Sequence, residues 1–439
     1  MTEFVRAIGL GRATAMVVGT IIGASIFVQP SLVSGAVPSV SGVLLVWAAA
    51  GALTLIGALI TAELSSAFPH TGGVYVFLKR GYSPVVAYLW GWAMFWVMHS
   101  GIIAAIATVF ARYLGNFVEL GDTGTRAAAV GAIVALSAVN YLGVRHGSAL
   151  QTFFTVVKLV AIAIVVILGV TFVATHAAAT PTAETRRPTY GAFIEAMIAG
   201  LFAYGGWHMV TYAAEETKNP TRTIPRALVL GTIIVTVAYI AVNASYLAAL
   251  PFDKVTSSTR VAADFADAIL GSGGGDVLSA LVILSTLGAM TGIILSGPRV
   301  YLAMAQDGLL FRWVGAIHPR YRTPHVALAL QAVWSSVLVL TGSYRTLFTR
   351  VVYTEWIFFA LMAASLYVLR RRQDYEPAYR VWGFPILPGI FVLSSAAIVL
   401  NQIARQPLES VSGLAIVAAG LPAYWIWTSR RKSSDKLPG

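Results

Sequence analysis

Runs of about 20 apolar residues recur along the whole chain and are separated by short polar segments. Each run is long enough to cross roughly 30 Å of hydrocarbon as an α-helix. The segments between the runs leave no room for a sizeable domain outside the membrane, so the function is expected to reside within the helix bundle. Twelve spans are predicted, near residues 13–37, 41–67, 84–114, 127–145, 150–174, 190–214, 224–250, 275–305, 325–342, 347–370, 382–404 and 408–428.

Two of these spans, the first and the sixth, carry clusters of small residues at mid-membrane. Gly19 and Gly23 interrupt the first span, and Gly205 and Gly206 interrupt the sixth. Glycine-interrupted segments at corresponding places in two halves of a chain are a sequence pointer to a transporter's binding site. The alternative is that these glycines only allow close packing of helices.

The five-span offset between the two interruptions predicts an inverted repeat of five plus five helices. The first repeat would cover residues 1–175 and the second residues 189–371, with an accessory helix hairpin over residues 382–430. The predicted fold class is therefore an all-α integral membrane protein with twelve transmembrane helices, of which helices 1 and 6 are broken.

Composition supports a membrane protein: 57% of the residues are hydrophobic, the mean hydropathy is +0.76 and only 11% are charged, where soluble domains carry about 25%. Most of the 30 lysines and arginines fall in alternate loops. This bias predicts that both termini are cytoplasmic. It also explains the net charge of +12 without nucleic acid as a partner.

The chain contains no cysteine, which excludes disulfides and thiolate metal sites. We expect no catalytic site, no metal site and no cofactor, because the spans show neither a histidine-rich cluster nor paired aspartates. The amino terminus shows no removable signal peptide.

A helix broken at mid-membrane exposes N–H groups on one side and carbonyl groups on the other, which suits a zwitterion. We predict that a substrate carboxylate binds beside Gly23 at the N–H groups of Ala24, Ser25 and Ile26. The substrate ammonium would take carbonyl oxygens from Ile21, Phe202, Ala203 and Gly205. Neither broken segment contains a fixed charge.

Several segments resemble one known family. Gly19–Phe27, Leu201–Trp207 and Glu215–Pro225 are similar to signatures of the amino acid–polyamine–organocation superfamily, closest to its L-type amino acid transporter branch. Ala305–Leu309 and Tyr379–Pro385 extend the resemblance over essentially the whole chain.

The resemblance implies a LeuT-like fold and amino acid transport by alternating access. The family usually has Gly-Ser-Gly where this chain has Gly23-Ala24-Ser25. Animal L-type members bind an accessory glycoprotein through an external cysteine, which this chain lacks, so no covalent accessory subunit is implied.

Lys158 lies alone in an apolar run that extends from Thr152 to Val170, and an ionisable group at membrane depth is a functional hypothesis by default. The resemblance implies that its ammonium replaces the cation of sodium-coupled relatives. It would then reach the carbonyl of Gly19 and a hydroxyl of Ser285 or Thr286, with Tyr239 nearby. The alternatives are snorkelling to the interface and pairing with a buried acid.

Three further side chains have more than one interpretation. Glu355 could contact the substrate side chain, relay protons or anchor a hydrogen-bond network. His99 could line the cavity or make a single internal hydrogen bond. Trp207 could close over the substrate as an outer gate or be an ordinary interfacial aromatic residue.

The sequence thus predicts a sodium-independent transporter of neutral L-amino acids in the inner (plasma) membrane, working as an exchanger or a proton-coupled carrier. The expected partners are the amino acid and membrane lipid. A proton-coupled carrier of cationic amino acids or polyamines, and an amino acid sensor that does not transport, are the alternatives.

Overall fold

The computed structural model describes residues 6, 8–23, 25–175, 189–271, 273–342 and 344–434. The described residues form helices and connecting segments, and their one β-bridge joins Ile8 to Thr217. Ala24, one of the predicted substrate contacts, lies outside the described residues.

Helices dominate because a helix satisfies its own backbone hydrogen bonds where water is absent. Those of the amino-terminal part are α1 (Leu10–Ile21), α2 (Gln29–Ala36), α3 (Val40–Ala67), α4 (Val74–Gly81), α5 (Pro84–Ala93), α6 (His99–Leu114), α7 (Asp122–Tyr141) and α8 (Val144–Thr175).

The carboxy-terminal part contains ten more α-helices among the described residues. They are α9 (Tyr190–Ala203), α10 (Pro220–Ala249), α11 (Phe252–Ser257), α12 (Val261–Leu270), α13 (Gly274–Gln306), α14 (His325–Thr341), α15 (Tyr344–Leu369), α16 (Ile386–Arg405), α17 (Pro407–Ala418) and α18 (Gly420–Ser434).

Eight helical stretches of the described chain are long and apolar enough to cross a membrane. They are Val40–Ala67, Pro84–Leu114, Phe153–Thr175, Tyr190–Glu216, Pro220–Ala249, Gly274–Gln306, Ile386–Arg405 and Ser410–Ser429. Three shorter apolar helices, Leu10–Ile21, His325–Thr341 and Tyr353–Leu369, fall in further predicted spans. A helical membrane protein is therefore confirmed, and the number of twelve spans stays a prediction.

Both predicted interruptions are breaks in the backbone. In the first span α1 ends at Ile21, and a 3₁₀ turn (Ser25–Phe27) leads into α2. In the sixth span α9 ends at Ala203, and a 3₁₀ segment that we call the post-break segment (Trp207–Glu216) continues the chain. Gly206 joins the two parts with a φ of 98°, a value that glycine adopts without steric cost.

Two other spans are less regular than the sequence predicts. Residues Met94–Met98 between α5 and α6 are π-helical, whereas residues 84–114 are predicted as one continuous helix. The last predicted span, 408–428, divides into α17 and α18 at Ala419. Pro422 lies in the first turn of α18, where its missing N–H would have no partner within the helix.

Packing places the two breaks together at the centre. α10 lies along α3 and α1, while α13 packs against α6 and α8. α1 also contacts α8 and α13, and the post-break segment contacts α1, α10 and α13. The ends of α1 and α9 are therefore enclosed by helices from both halves of the chain.

Candidate functional site

The two broken helices approach each other at Thr20 and Gly206. The Thr20 hydroxyl oxygen lies 3.1 Å from the Gly206 carbonyl oxygen. A Cβ atom added to Gly206 would lie 2.8 Å from the Thr20 carbonyl oxygen, closer than such atoms normally approach. Position 206 therefore requires glycine for two reasons: its positive φ, and the close contact between the two breaks, which leaves no room for a Cβ atom.

Tyr239 of α10 bonds the carbonyl groups that the two broken helices leave open. Its hydroxyl oxygen lies 3.1 Å from the Ile21 carbonyl oxygen and 3.0 Å from that of Ala203. The last carbonyls of a helix have no partner within the helix, so this buried hydroxyl satisfies groups that the breaks expose. The sequence predicts these two carbonyls as ammonium ligands and places Tyr239 beside Lys158; the structure places the Tyr239 hydroxyl on the carbonyls themselves.

The carbonyl of Phe202, a third predicted ligand, accepts a hydrogen bond from the N–H of Gly205 at 3.1 Å. This local turn closes the end of α9. It leaves Phe202 itself facing the space between the breaks.

A cavity lies between the two breaks and is closed laterally by α6, α13 and α15. Six of the predicted substrate residues line it: Ile21, Gly23, Ser25, Phe202, Gly205 and Trp207. Its other walls are Thr20, Ile102, Ile106, Leu201, Gly206, Met209, Ile293, Glu355, Trp356 and Phe359. Ile26, Ala203 and His99 are buried but are not part of this lining.

Trp207 forms one wall of the cavity. Its indole ring is buried, and its centroid lies 5.3 Å from that of Phe359. On its other side, a Cβ added to Gly57 would come within 3.0 Å of the indole. Trp207 is therefore held between α3 and α15, and its predicted role as a gate stays a prediction.

Lys158 reaches the carbonyl that the sequence assigns to it. The side chain is 1% exposed, and Nζ donates to the Gly19 carbonyl oxygen at 2.7 Å. This oxygen is available because α1 ends at Ile21, before the residue that would donate to it in a continuous helix. The ammonium therefore binds the end of α1 rather than the membrane interface.

The neighbouring α13 approaches the same lysine. A Cβ on Gly288 would lie 3.2 Å from Cε of Lys158, so α13 passes close to the aliphatic stem. The Thr286 hydroxyl donates to the Ile283 carbonyl of its own helix at 2.7 Å, and the buried Ser285 hydroxyl has no partner among the described residues. The predicted carbonyl contact of Lys158 is present, and the structure gives no hydrogen bond from it to Ser285 or Thr286.

Glu355 and His99 lie in different surroundings. Glu355 of α15 is 6% exposed and lines the cavity. His99 of α6 has Nε2 at 2.7 Å from the Ile293 carbonyl oxygen. Because a carbonyl only accepts hydrogen bonds, this nitrogen carries the hydrogen, and His99 makes the internal contact that was its alternative interpretation.

A search of protein families matches the amino acid permease model to residues 8–426. The chain belongs to the amino acid permease family. This places it in the amino acid–polyamine–organocation superfamily, whose signatures it resembles.

Curated relatives of this permease span nearly its whole length. The serine/threonine exchanger SteT of Bacillus subtilis (strain 168) is 30% identical over 436 residues, covering 98% of both chains. The human b(0,+)-type amino acid transporter 1 is 31% identical and covers 97% of this chain and 88% of its own. The rabbit (Oryctolagus cuniculus) large neutral amino acids transporter small subunit 2 is 30% identical, over 96% and 80%.

The permease carries two arginine–carboxylate pairs at one end of the bundle, which we call the Glu63 end. Arg370 binds Glu63 through two hydrogen bonds of 2.8 and 2.5 Å, and the N–H of Val381 donates to the same carboxylate at 2.7 Å. Arg299 binds Glu216 at 3.1 and 2.9 Å. The bonds from Arg370 reach both carboxylate oxygens of Glu63, whereas both bonds from Arg299 reach Oε1 of Glu216. A bidentate contact such as that of Glu63 is the strong form of an ion pair.

These pairs join elements that carry the cavity. Glu63 and Arg370 connect α3 to the region just after α15, whereas Glu216 and Arg299 connect the post-break segment to α13. In the loop beyond Arg370, burial and the neighbouring Glu63 carboxylate raise the pKa of Tyr375, so its hydroxyl stays protonated and donates to Glu63 at 3.3 Å. At the Glu63 end, these contacts link α3 and the post-break segment to neighbouring elements.

Sequence reasoning missed several residues that build the site. Thr20 lies beside the predicted break. Its position inside a glycine-rich segment is the sequence feature that could have indicated a role in the site. Trp356 is the residue after Glu355 on α15, and Phe359 lies about one helical turn after Glu355. A prediction of which face of α15 lines the cavity would have included at least one of them. No local pattern singles out Tyr239 as the partner of two carbonyls.

Proposed function

We propose that this permease is a sodium-independent transporter of neutral L-amino acids that works by alternating access. The observation that carries the proposal is the buried ammonium of Lys158 on the Gly19 carbonyl, at the end of α1 beside the cavity. A positive charge there takes the place that a bound cation would occupy in a sodium-coupled carrier. Transport then needs no sodium ion to hold the broken helix.

The substrate backbone binds between the two breaks. Its carboxylate takes the N–H groups that begin the 3₁₀ turn at Ser25 and Ile26, where the positive end of a helix dipole favours an anion. Its ammonium takes carbonyl oxygens of the opposite break. The Tyr239 hydroxyl, which now bonds Ile21 and Ala203, moves aside or shares these oxygens when substrate enters.

The substrate side chain meets mainly apolar walls. Ile102, Ile106 and Ile293 line the cavity together with Trp356 and Phe359. Burial of an apolar or small substrate side chain against such a surface is favourable. The names of the relatives, a serine/threonine exchanger and a large neutral amino acids transporter, support neutral substrates, and the family supports a carrier rather than an enzyme.

The orientation follows from the distribution of charge. We place both termini and the Glu63 end in the cytoplasm and the chain in the plasma membrane, because the arginine-rich loops lie on that side. Inward opening then breaks the pairs Glu63–Arg370 and Glu216–Arg299. Repeats over residues 1–175 and 189–371, with residues 382–430 as an accessory hairpin, complete the twelve-helix, LeuT-like arrangement of the proposal. A chain without cysteine needs no disulfide-linked subunit in this account.

Uptake of labelled L-alanine, L-leucine, L-serine and L-lysine into proteoliposomes tests the proposal. The liposomes are preloaded with unlabelled amino acid or left empty, and external sodium is replaced by choline in a matched series. We expect uptake of the neutral amino acids at equal rates in both media. A requirement for sodium contradicts the role of Lys158, faster uptake of L-lysine favours the cationic carrier, and binding without uptake favours a sensor.

A further inference from the structure

We propose that Glu355 is the proton-binding group that couples transport of a neutral amino acid to movement of a proton through the same cavity. This inference rests on the proposed function and decides between its two modes in favour of proton coupling. It starts from one side chain of the cavity lining that has no hydrogen-bond or ion-pair partner among the described residues.

Glu355 is unusual among the acidic residues of the described chain. It is 94% buried, with an exposed fraction of 6%, and it lines the cavity between the two breaks. Among the residues that the structure describes, no hydrogen bond or ion pair reaches its carboxyl group. By contrast, Glu63, which is fully buried, has an arginine and a backbone N–H as partners.

The surroundings of Glu355 supply no compensating charge. The titratable or charged residues on the elements that pack against α15 or border the cavity are Arg12 on α1, Glu63 on α3, Tyr75, Lys79 and Arg80 on α4, His99, Arg112 and Tyr113 on α6, Tyr190 and Glu195 on α9, His208, Tyr212, Glu215 and Glu216 on the post-break segment, Asp276, Arg299 and Tyr301 on α13, Arg405 on α16 and Glu409 on α17.

The groups in that set with assigned contacts are engaged elsewhere. Glu63 binds Arg370, Glu195 binds Arg405, and His99 bonds the Ile293 carbonyl. Lys158 of α8 bonds the Gly19 carbonyl.

An isolated carboxylate is strongly unfavourable where water is excluded, so the site requires one positive charge whenever a bound amino acid has displaced the water from the cavity. Two sources are available: a proton, or a cationic side chain on the substrate. The walls next to Glu355, including Ile102, Ile106, Trp356 and Phe359, provide no side-chain acceptor.

An ammonium or guanidinium group carries three to five donors that need acceptors. The polar side chains in the rest of the lining are few, and the Thr20 hydroxyl lies within bonding distance of backbone carbonyls. A proton binds to the carboxylate itself and needs no further acceptor. The cavity therefore fits a neutral amino acid together with a proton better than it fits a cationic one.

The charge balances at each step of the cycle. With the cavity open to the outside, the Glu355 carboxylate takes a proton from water and the zwitterionic amino acid binds between the breaks. The closed cavity then contains a neutral acid and a zwitterion. After opening to the inside, the amino acid leaves and the carboxyl group releases its proton to water. The empty carrier returns with the carboxylate hydrated by the water that fills the vacated cavity, so one proton crosses with each amino acid.

Proteoliposomes with a pH gradient and a voltage clamped at zero test this assignment. The wild type, with an exterior one pH unit more acidic than the interior, is expected to accumulate labelled L-alanine up to about tenfold. A protonophore should abolish the accumulation. Glu355→Gln, which mimics the neutral acid, should lose accumulation while it still exchanges L-alanine against internal L-alanine.

Glu195→Gln is the matched control, because Glu195 is a half-exposed acid paired with Arg405, and it should accumulate like the wild type. Glu355→Asp keeps the carboxyl group and should retain accumulation; it serves if the glutamine variant does not fold. Accumulation that survives Glu355→Gln overturns the assignment and points to another proton carrier such as Lys158.

Three further results also overturn it. A wild type that exchanges L-alanine but ignores the pH gradient carries no proton. A wild type that prefers L-lysine, and loses only L-lysine in Glu355→Gln, uses the carboxylate to bind a cationic side chain. A wild type that transports no amino acid at all refutes the proposed function, and this inference falls with it.

Discussion

Replacing Lys158 with methionine removes the ammonium and keeps an unbranched side chain of similar length. The 2.7 Å bond to the Gly19 carbonyl is then lost. Without a donor, this buried oxygen at the end of α1 costs about 1–3 kcal/mol. The same substitution also removes the cost of burying an ammonium, so the free energy of unfolding should change little.

Transport should respond much more than stability. The Gly19 carbonyl belongs to the broken helix, which changes its surroundings during alternating access. A contact worth 1–3 kcal/mol that is present in only one of two conformations shifts their ratio by about 5–150-fold. We therefore expect the turnover rate of Lys158→Met to fall by a factor in that range.

Initial rates of amino acid exchange in proteoliposomes measure this effect. Lys254→Met is the control, because Lys254 lies exposed on α11 and should transport like the wild type. Size-exclusion chromatography establishes that both variants are folded. A Lys158→Met permease with an unchanged rate, substrate affinity and pH profile would refute the coupling role of the lysine.

Two further substitutions test the packing that supports the site. Gly206→Ala places a side chain at a φ of 98° and 2.8 Å from the Thr20 carbonyl oxygen. We expect stability to fall by about 1–3 kcal/mol and substrate to bind more weakly, which thermal unfolding with and without L-alanine measures. Gly35→Ala is the control, because a Cβ there has no atom within 4 Å. Glu63→Gln leaves Arg370 without its carboxylate and should cost about 3–5 kcal/mol, whereas Glu195→Gln in the half-exposed pair with Arg405 should cost under about 1 kcal/mol. Equal melting temperatures within either pair of variants would contradict the packing argument.

The breaks and the buried lysine could be predicted because their signals are local. A pair of glycines inside an apolar run weakens a helix wherever the run lies in the fold. A single charge in such a run has few ways to be satisfied, and the end of a broken helix is one of them. Lys158 and Gly19, 139 residues apart, meet for that reason.

The remaining details depend on helix rotation and side-chain packing, which the sequence does not specify. Ser285 and Thr286 lie on the helix that contacts Lys158, yet Thr286 bonds its own backbone. Tyr239 contacts two carbonyls because α10 crosses both breaks. Glu355 has three possible roles from sequence alone, and only the packing of α15 against the cavity shows that its carboxyl group has no hydrogen-bond or ion-pair partner in the part of the chain that the structure describes.

Substrate protection of a single cysteine at Ser25 tests the central claim that amino acids bind between the two breaks. The chain has no other cysteine, so Ser25→Cys gives one reactive group, and Ser25 lines the cavity. We expect a transported amino acid to slow modification of this cysteine by a small thiol reagent, with half-protection at the concentration that half-saturates uptake. A variant that still transports, but reacts at the same rate with and without saturating substrate, would place the binding site elsewhere and contradict the account.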